Sequence, residues 1–152
     1  MSDFIIRDIV KKDIKRVLEL MRELAVFEGY IYSFAVTEEV LETFCLEKAQ
    51  FNVLVAEKNK DVEGILVYYF QPFTYDLSPW LIIKELYVPK KSRRSGIGDA
   101  LFDAAYKRAG EVGSKRMKWE VLKSNTGARK FYLRKGAAFE DEWTTMSILV
   151  SG

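Results

Sequence analysis

The chain has 152 residues, 49% of them hydrophobic and 30% charged, with a net charge of +2. These values fit one compact globular domain spanning residues 1–152 and exclude both a disordered chain and a strongly basic nucleic-acid binder. There is no His and a single Cys, so Ser-His-Asp and Cys-His machinery, His-based metal sites and an internal disulfide are all excluded.

No apolar run approaches the roughly 20 residues of a membrane span. The start, Met1-Ser2-Asp3, lacks a basic and then apolar leader, so a cytoplasmic location is expected. Acid–base chemistry must fall to Glu, Asp, Tyr, Lys or water. Cys45 sits at helical spacing on an apolar face, where a core thiol is expected rather than a nucleophile.

Phe4-Ile5-Ile6 reads as a first strand. Ile14, Val17, Leu18, Met21, Leu24 and Ala25 recur at helical spacing, and Gly29 is placed to stop that helix. Thr37 reads as an N-cap, with Glu38 and Glu39 in the first turn of a second helix ending near Glu47. Residues 51–57 and 62–70 read as a hairpin around the polar turn Lys58-Asn59-Lys60-Asp61. Pro72 and Pro79 bracket a loop, and residues 80–88 form an apolar fourth strand.

Ile97, Leu101, Ala105, Ala109 and Val112 mark the next helix, which Gly113 closes. Residues 116–122 are expected to form a fifth strand, and a short helix should run from Thr126 to Lys135, ending at Gly136. Residues 137–139 and 144–150 read as two closing strands. The expected fold is α/β (α+β), a mixed sheet flanked by helices in the order β-α-α-β-β-β-α-β-α-β-β. The fourth and fifth strands, joined through a helix, should be parallel neighbours.

Between the fourth strand and its helix stands Pro89-Lys90-Lys91-Ser92-Arg93-Arg94-Ser95-Gly96-Ile97-Gly98. Helix N-termini present unpaired N–H groups and partial positive charge. Glycines let a ligand approach the backbone, and the cations reinforce the attraction. The turn therefore reads either as a cradle for a phosphate or pyrophosphate or as a solvated basic loop. Glu85 lies within an otherwise apolar strand, Lys84-Glu85-Leu86-Tyr87-Val88. Its carboxylate needs a partner or a cavity, so a catalytic base and a cross-strand salt bridge are both open.

Arg93-Arg94-Ser95-Gly96-Ile97-Gly98, followed by Asn125, the Phe131-Tyr132 pair and Gly136, resembles the GNAT superfamily of acetyl-CoA-dependent N-acetyltransferases. The signature is Gln/Arg-x-x-Gly-x-Gly/Ala, and the resemblance covers nearly the whole chain. A looser similarity is to the spermidine/spermine (diamine) and thialysine acetyltransferase branch. It rests on Phe4-x-Ile6-Arg7, Glu23-Leu24-Ala25 with Glu28, Tyr68-Tyr69-Phe70, Tyr75-Asp76 and Trp143. Lys84 stands where that branch tends to carry the first of two acids.

The resemblance implies transfer of an acetyl group from acetyl-CoA to a primary amine of a small polyamine or diamine, without a metal. Leu86, Tyr87 and Val88 would meet the pantetheine arm. Arg93, Arg94, Ser95, Gly96, Ile97, Gly98 and Asp99 would hold the pyrophosphate. Asn125 and Ala128 lie where the family contacts CoA, and Asn125 is equally placed to cap a helix. Tyr132 would be the acid beside the CoA sulfur and Glu85 the base. Glu28, Asp76, Asp141 and Trp143 are candidates for the acceptor, because carboxylates and aromatic faces attract cations. A homodimer is expected from the family and the apolar run at residues 146–150. The competing readings are a protein lysine or N-terminal acetyltransferase and a non-catalytic CoA-binding module.

Overall fold

A computed structural model describes residues 3–151; the Met1-Ser2 start read above and Gly152 lie outside them. Contacts group the chain into two compact units, Met1–Glu120 and Val121–Gly152.

The first unit is a five-stranded sheet in the order β1-β2-β3-β4-β5: β1 (Phe4–Asp8), β2 (Asn52–Lys58), β3 (Asp61–Pro72), β4 (Pro79–Tyr87) and β5 (Met117–Trp119). Neighbours are antiparallel except β4 and β5, which are parallel as the crossover predicts. The β2–β3 hairpin turns on Asn59 and Lys60, both at positive φ (52° and 68°). A two-residue turn of that kind matches the twist of its strands.

Alternation along β2 and β3 divides the core into two layers. Val53, Val55, Ile65 and Val67 pack with Ile14, Val17, Leu18, Leu20 and Met21 of α1 (Ile14–Glu28). The same layer takes in Leu41 and Cys45 from α2 (Glu38–Leu41) and its π-helical continuation Glu42–Glu47. Leu54, Ala56, Leu66 and Tyr68 project to the other side, where α3 (Ile97–Glu111) buries Ile97, Leu101, Phe102, Ala105 and Ala109.

The expected caps are present. Gly29 ends α1 at φ 81°, and Thr37 accepts from the Val40 N–H at 3.2 Å. Cys45 is 6% exposed, and burial pushes its thiol up to about 11. It is a core thiol, as the spacing predicts. Two residues quoted for the closer similarity are structural. Arg7 holds Asp13 at 2.7 Å and Glu57 at 3.0 Å, and Tyr68, 1% exposed as a residue, accepts through its hydroxyl from Arg108 at 2.7 Å.

The second unit contains α4 (Thr126–Arg134), with Gly136 just past its end at φ 95°. The two closing strands expected at 137–139 and 144–150 are not formed among the described residues. Met146, Ile148, Leu149 and Val150 are 89–97% exposed. Alternating β-formers make a strand only when a ladder partner meets them, and among the described residues no such partner is paired with this segment. β5 is likewise shorter than the expected 116–122. Among the described residues no helix is long and apolar enough to cross a membrane.

Candidate active site

Two β-bulges, neither visible in the hydrophobic pattern, interrupt the sheet around β3. Val67 pairs with Glu85 but Tyr68 pairs with Ile83, so Lys84 is the extra residue in β4. Ala56 pairs with Gly64 but Glu57 pairs with Val62, so Glu63 is the extra residue in β3. A bulge leaves its residue out of the ladder and re-aims the side chains around it. Each of these bulges has a glutamate at or beside it.

Glu85 follows the first bulge. The residue is half-buried, yet its Oε2 is enclosed and meets no hydrogen-bond partner. Burial, and after it the nearby Glu28 carboxylate, pushes the Glu85 carboxyl up to about 7, with Lys84 opposing weakly. Glu28 is the last residue of α1, and burial raises its carboxyl too. The fold thus brings together two carboxylates 57 positions apart in the chain. An enclosed carboxylate without a donor is costly unless it is protonated or meets a cation.

Beyond Glu85 the sheet opens. The β4–β5 ladder ends at Ile83–Trp119, whereas β4 stays paired to β3 through Tyr87. One edge of residues 84–87 therefore has no ladder partner among the described residues. An extended, amide-bearing group can add along such an edge. The Tyr87 hydroxyl donates to Glu23 Oε1 at 3.1 Å, which ties β4 to α1.

The turn that follows is held by its own side chains. Arg93 Nε donates back to the Val88 carbonyl at 2.8 Å, and the Ser95 hydroxyl donates to the Ser92 carbonyl at 2.5 Å. Arg94 and Gly96 lie at φ 63° and 86°. Gly96 is the N-cap of α3 and supplies no side-chain cap to its first N–H groups. Here glycine is required by the left-handed backbone, and the absence of a capping side chain leaves room for an anion's oxygens. Exposed Arg94, Ser95 and Asp99 border the opening, whereas Ile97 is 1% exposed and anchors the helix in the core.

In the second unit, Asn125 is the N-cap of α4, its Oδ1 accepting from the Ala128 N–H at 3.1 Å. That bond uses the Ala128 amide within the helix. Tyr132 is half-buried on α4, its ring 5.3 Å from that of Phe131 and edge-on to it. Asp141 and Trp143 lie in the exposed segment past α4, with Trp143 75% exposed. In the first unit, Asp76 is committed within the β3–β4 loop. It accepts from the Ser78 N–H at 2.9 Å and pairs with Lys115 at 3.0 Å, and these partners hold its carboxyl down at about 2.

Sequence reasoning missed Glu63 and the Lys84 bulge. The available signal was Gly64, a lone glycine in a strand, which marks a bulge or a close backbone approach. A Cβ at Gly64 would meet Ile97 Cγ2 at 2.8 Å, so the glycine lets the start of α3 settle onto β3.

Comparison with known proteins agrees with this architecture. Thialysine N-epsilon-acetyltransferase of Bos taurus is 26% identical over 145 residues, covering 90% of this chain and 85% of that protein. L-ornithine N5-acetyltransferase NATA1 of Arabidopsis thaliana is 34% identical over 61 residues, which is 40% of this chain and 27% of that longer protein. The fold superposes on an aminoglycoside acetyltransferase, meta-AAC0020, from an uncultured soil metagenomic sample. The TM-score is 0.82 at 23% identity, covering 98% of this chain and 97% of that one. Residues 17–137 match the model of the acetyltransferase (GNAT) family, and the chain belongs to that family, whose members use acetyl-CoA as acetyl donor.

Proposed function

We propose that this protein acetylates a primary amine of a small diamine-like acceptor by direct transfer from acetyl-CoA. The observation that carries the proposal is Glu85 at the point where β4 parts from β5, its Oε2 enclosed without a hydrogen-bond partner and its carboxyl pushed up to about 7 by burial and the charge of Glu28. A free primary amine has a pKa near ~10.4 and is almost wholly protonated at neutral pH. It must bind as a cation and then lose a proton. Glu28 and Glu85 supply the negative charge for binding, and Glu85, directly or through a water, takes the proton. A base with a pKa close to the working pH is best suited to that step.

Bound acetyl-CoA supplies the activated thioester. Residues 86–88 hold the donor along the open β4 edge, and residues 93–99 hold its pyrophosphate. Tyr132 is assigned the proton donated to the leaving thiolate, a role that rests on the family resemblance. Asn125 and Ala128 are assigned to the donor and Asp141 and Trp143 to the acceptor on the same basis. Covalent relay through the chain has no support: there is no His, and Cys45 is buried with a thiol pushed up to about 11.

The names of the thialysine and ornithine acetyltransferases, both acting on amino-acid side-chain amines, favour a small diamine-like acceptor over a protein. A cytoplasmic homodimer completes the proposal, the exposed apolar run at 146–150 being its support for self-association. The test is thiol release from acetyl-CoA over a panel of diamines, polyamines, amino acids, aminoglycosides and peptides. Turnover of diamines or diamino acids above the rest is expected. Turnover of peptides alone would reassign the acceptor to a protein.

A further inference from the structure

We propose that Glu63 is a positioning residue for the donor-binding turn at residues 92–98. The proposal rests on the reading that this turn holds the pyrophosphate. Glu63 is the residue that the β3 bulge leaves unpaired, and its Oε2 accepts the Ser92 hydroxyl at 2.5 Å. The tether continues inward: the Ser92 carbonyl accepts from the Ser95 hydroxyl, and Ser95 precedes Gly96, the left-handed N-cap of α3. Gly64 completes the seat, because only a residue without a Cβ lets Ile97 approach β3 so closely. Two consecutive residues of β3 thus fix both sides of the turn, Glu63 through hydrogen bonds and Gly64 through packing.

A carboxylate near a pyrophosphate site opposes anion binding by its charge. Its use here therefore lies in acceptor geometry, not in electrostatics. Amides held in place before the ligand arrives bind it without an ordering cost. Removing the Glu63 acceptor should loosen residues 92–96. Replacing it with a neutral acceptor of the same shape should not.

The experiment measures CoA affinity by calorimetry and amide exchange of residues 92–96 without CoA. The variants are Glu63→Ala, Glu63→Gln, Ser92→Ala, the Glu63→Ala/Ser92→Ala double variant and Gly96→Glu. Each variant's fold is checked by thermal melting. Glu63→Ala and Ser92→Ala should each weaken CoA by about three- to tenfold, the scale of one ordinary hydrogen bond. The double variant should add little to either, and amide exchange should quicken in all three. Glu63→Gln should bind CoA within about twofold of the parent, or tighter, because it keeps the acceptor and drops the charge. Unchanged affinity in Glu63→Ala and Ser92→Ala, with affinity lost in Gly96→Glu, overturns the positioning role and leaves the donor turn standing. Failure of Glu63→Gln to restore affinity also overturns it. Intact affinity in Gly96→Glu overturns the reading of the turn itself.

Discussion

Glu28, at the end of α1, lies near enough to Glu85 of β4 for its charge to help lift the Glu85 carboxyl to about 7, burial being the larger cause. Two like charges are thus held together in a first unit otherwise laced with compensating ion pairs. An acceptor ammonium between them would relieve both the repulsion and the desolvation.

The first prediction concerns the pH profile. The kcat/KM for the amine should rise with pH through about 7 as Glu85 ionises, before amine deprotonation alters the upper limb. Glu85→Gln should lower kcat by about 10²–10⁴-fold and remove the lower limb. Glu28→Gln should shift that limb to lower pH, because one source of the raised value is gone, and should raise the KM for the amine. An unshifted limb in Glu28→Gln would show that the pair is not coupled.

Stability should follow the same group with a defined sign. The folded carboxyl is raised from 4.5 to about 7, so between those values the native state binds more protons than the unfolded state. Its contribution is complete below about 4.5 and is lost as pH rises through about 7, a change on the order of 3 kcal/mol. Glu85→Gln should gain on the parent in thermal stability between pH 5 and pH 8. A constant difference across that range would contradict the buried titration.

Tyr132→Phe tests the acid. A cysteine-like thiolate, with a pKa near ~8.5, leaves with modest help. The expected loss in kcat is therefore at the lower end for general acid catalysis, about 10²-fold, with donor affinity little changed. An unchanged kcat would remove Tyr132 from the chemistry.

Gly64→Ala probes how closely α3 is seated. The new Cβ would lie 2.8 Å from Ile97 Cγ2, whose side chain is buried and has little room to give. A loss of about 1–3 kcal/mol in unfolding free energy is expected, the usual cost of overpacking. Denaturant titration measures it.

Much of this was legible in the chain itself. Ile14 to Ala25 recur at helical spacing and do form α1. Gly29 and Thr37 cap where their chemistry says they should, and Gly96 opens α3 in the left-handed conformation that excludes most residues. These are local signals, and local physics decides them. The bulge at Glu63 left only the lone glycine Gly64 as a mark, and the one at Lys84 left none, because a bulge is a mismatch between two strands and alternation in one strand does not reveal it. For the same reason Glu85 could be read as a buried carboxylate while its neighbour Glu28 came only from a family pattern. Residues 144–150 show the converse failure. Thr144, Thr145, Ile148 and Val150 have strand propensity, but a strand needs a paired edge, and none is paired with them among the described residues. Asp76 shows that an acidic residue in a quoted motif can be spent locally, on Ser78 and Lys115.

The most direct test of direct transfer to an amine is initial-rate thiol release with acetyl-CoA and a diamine varied together. Release that requires the amine, with double-reciprocal lines that intersect, is the predicted result, because both substrates must be bound before the acetyl group moves. Parallel lines, or release that proceeds equally without any amine, would contradict it.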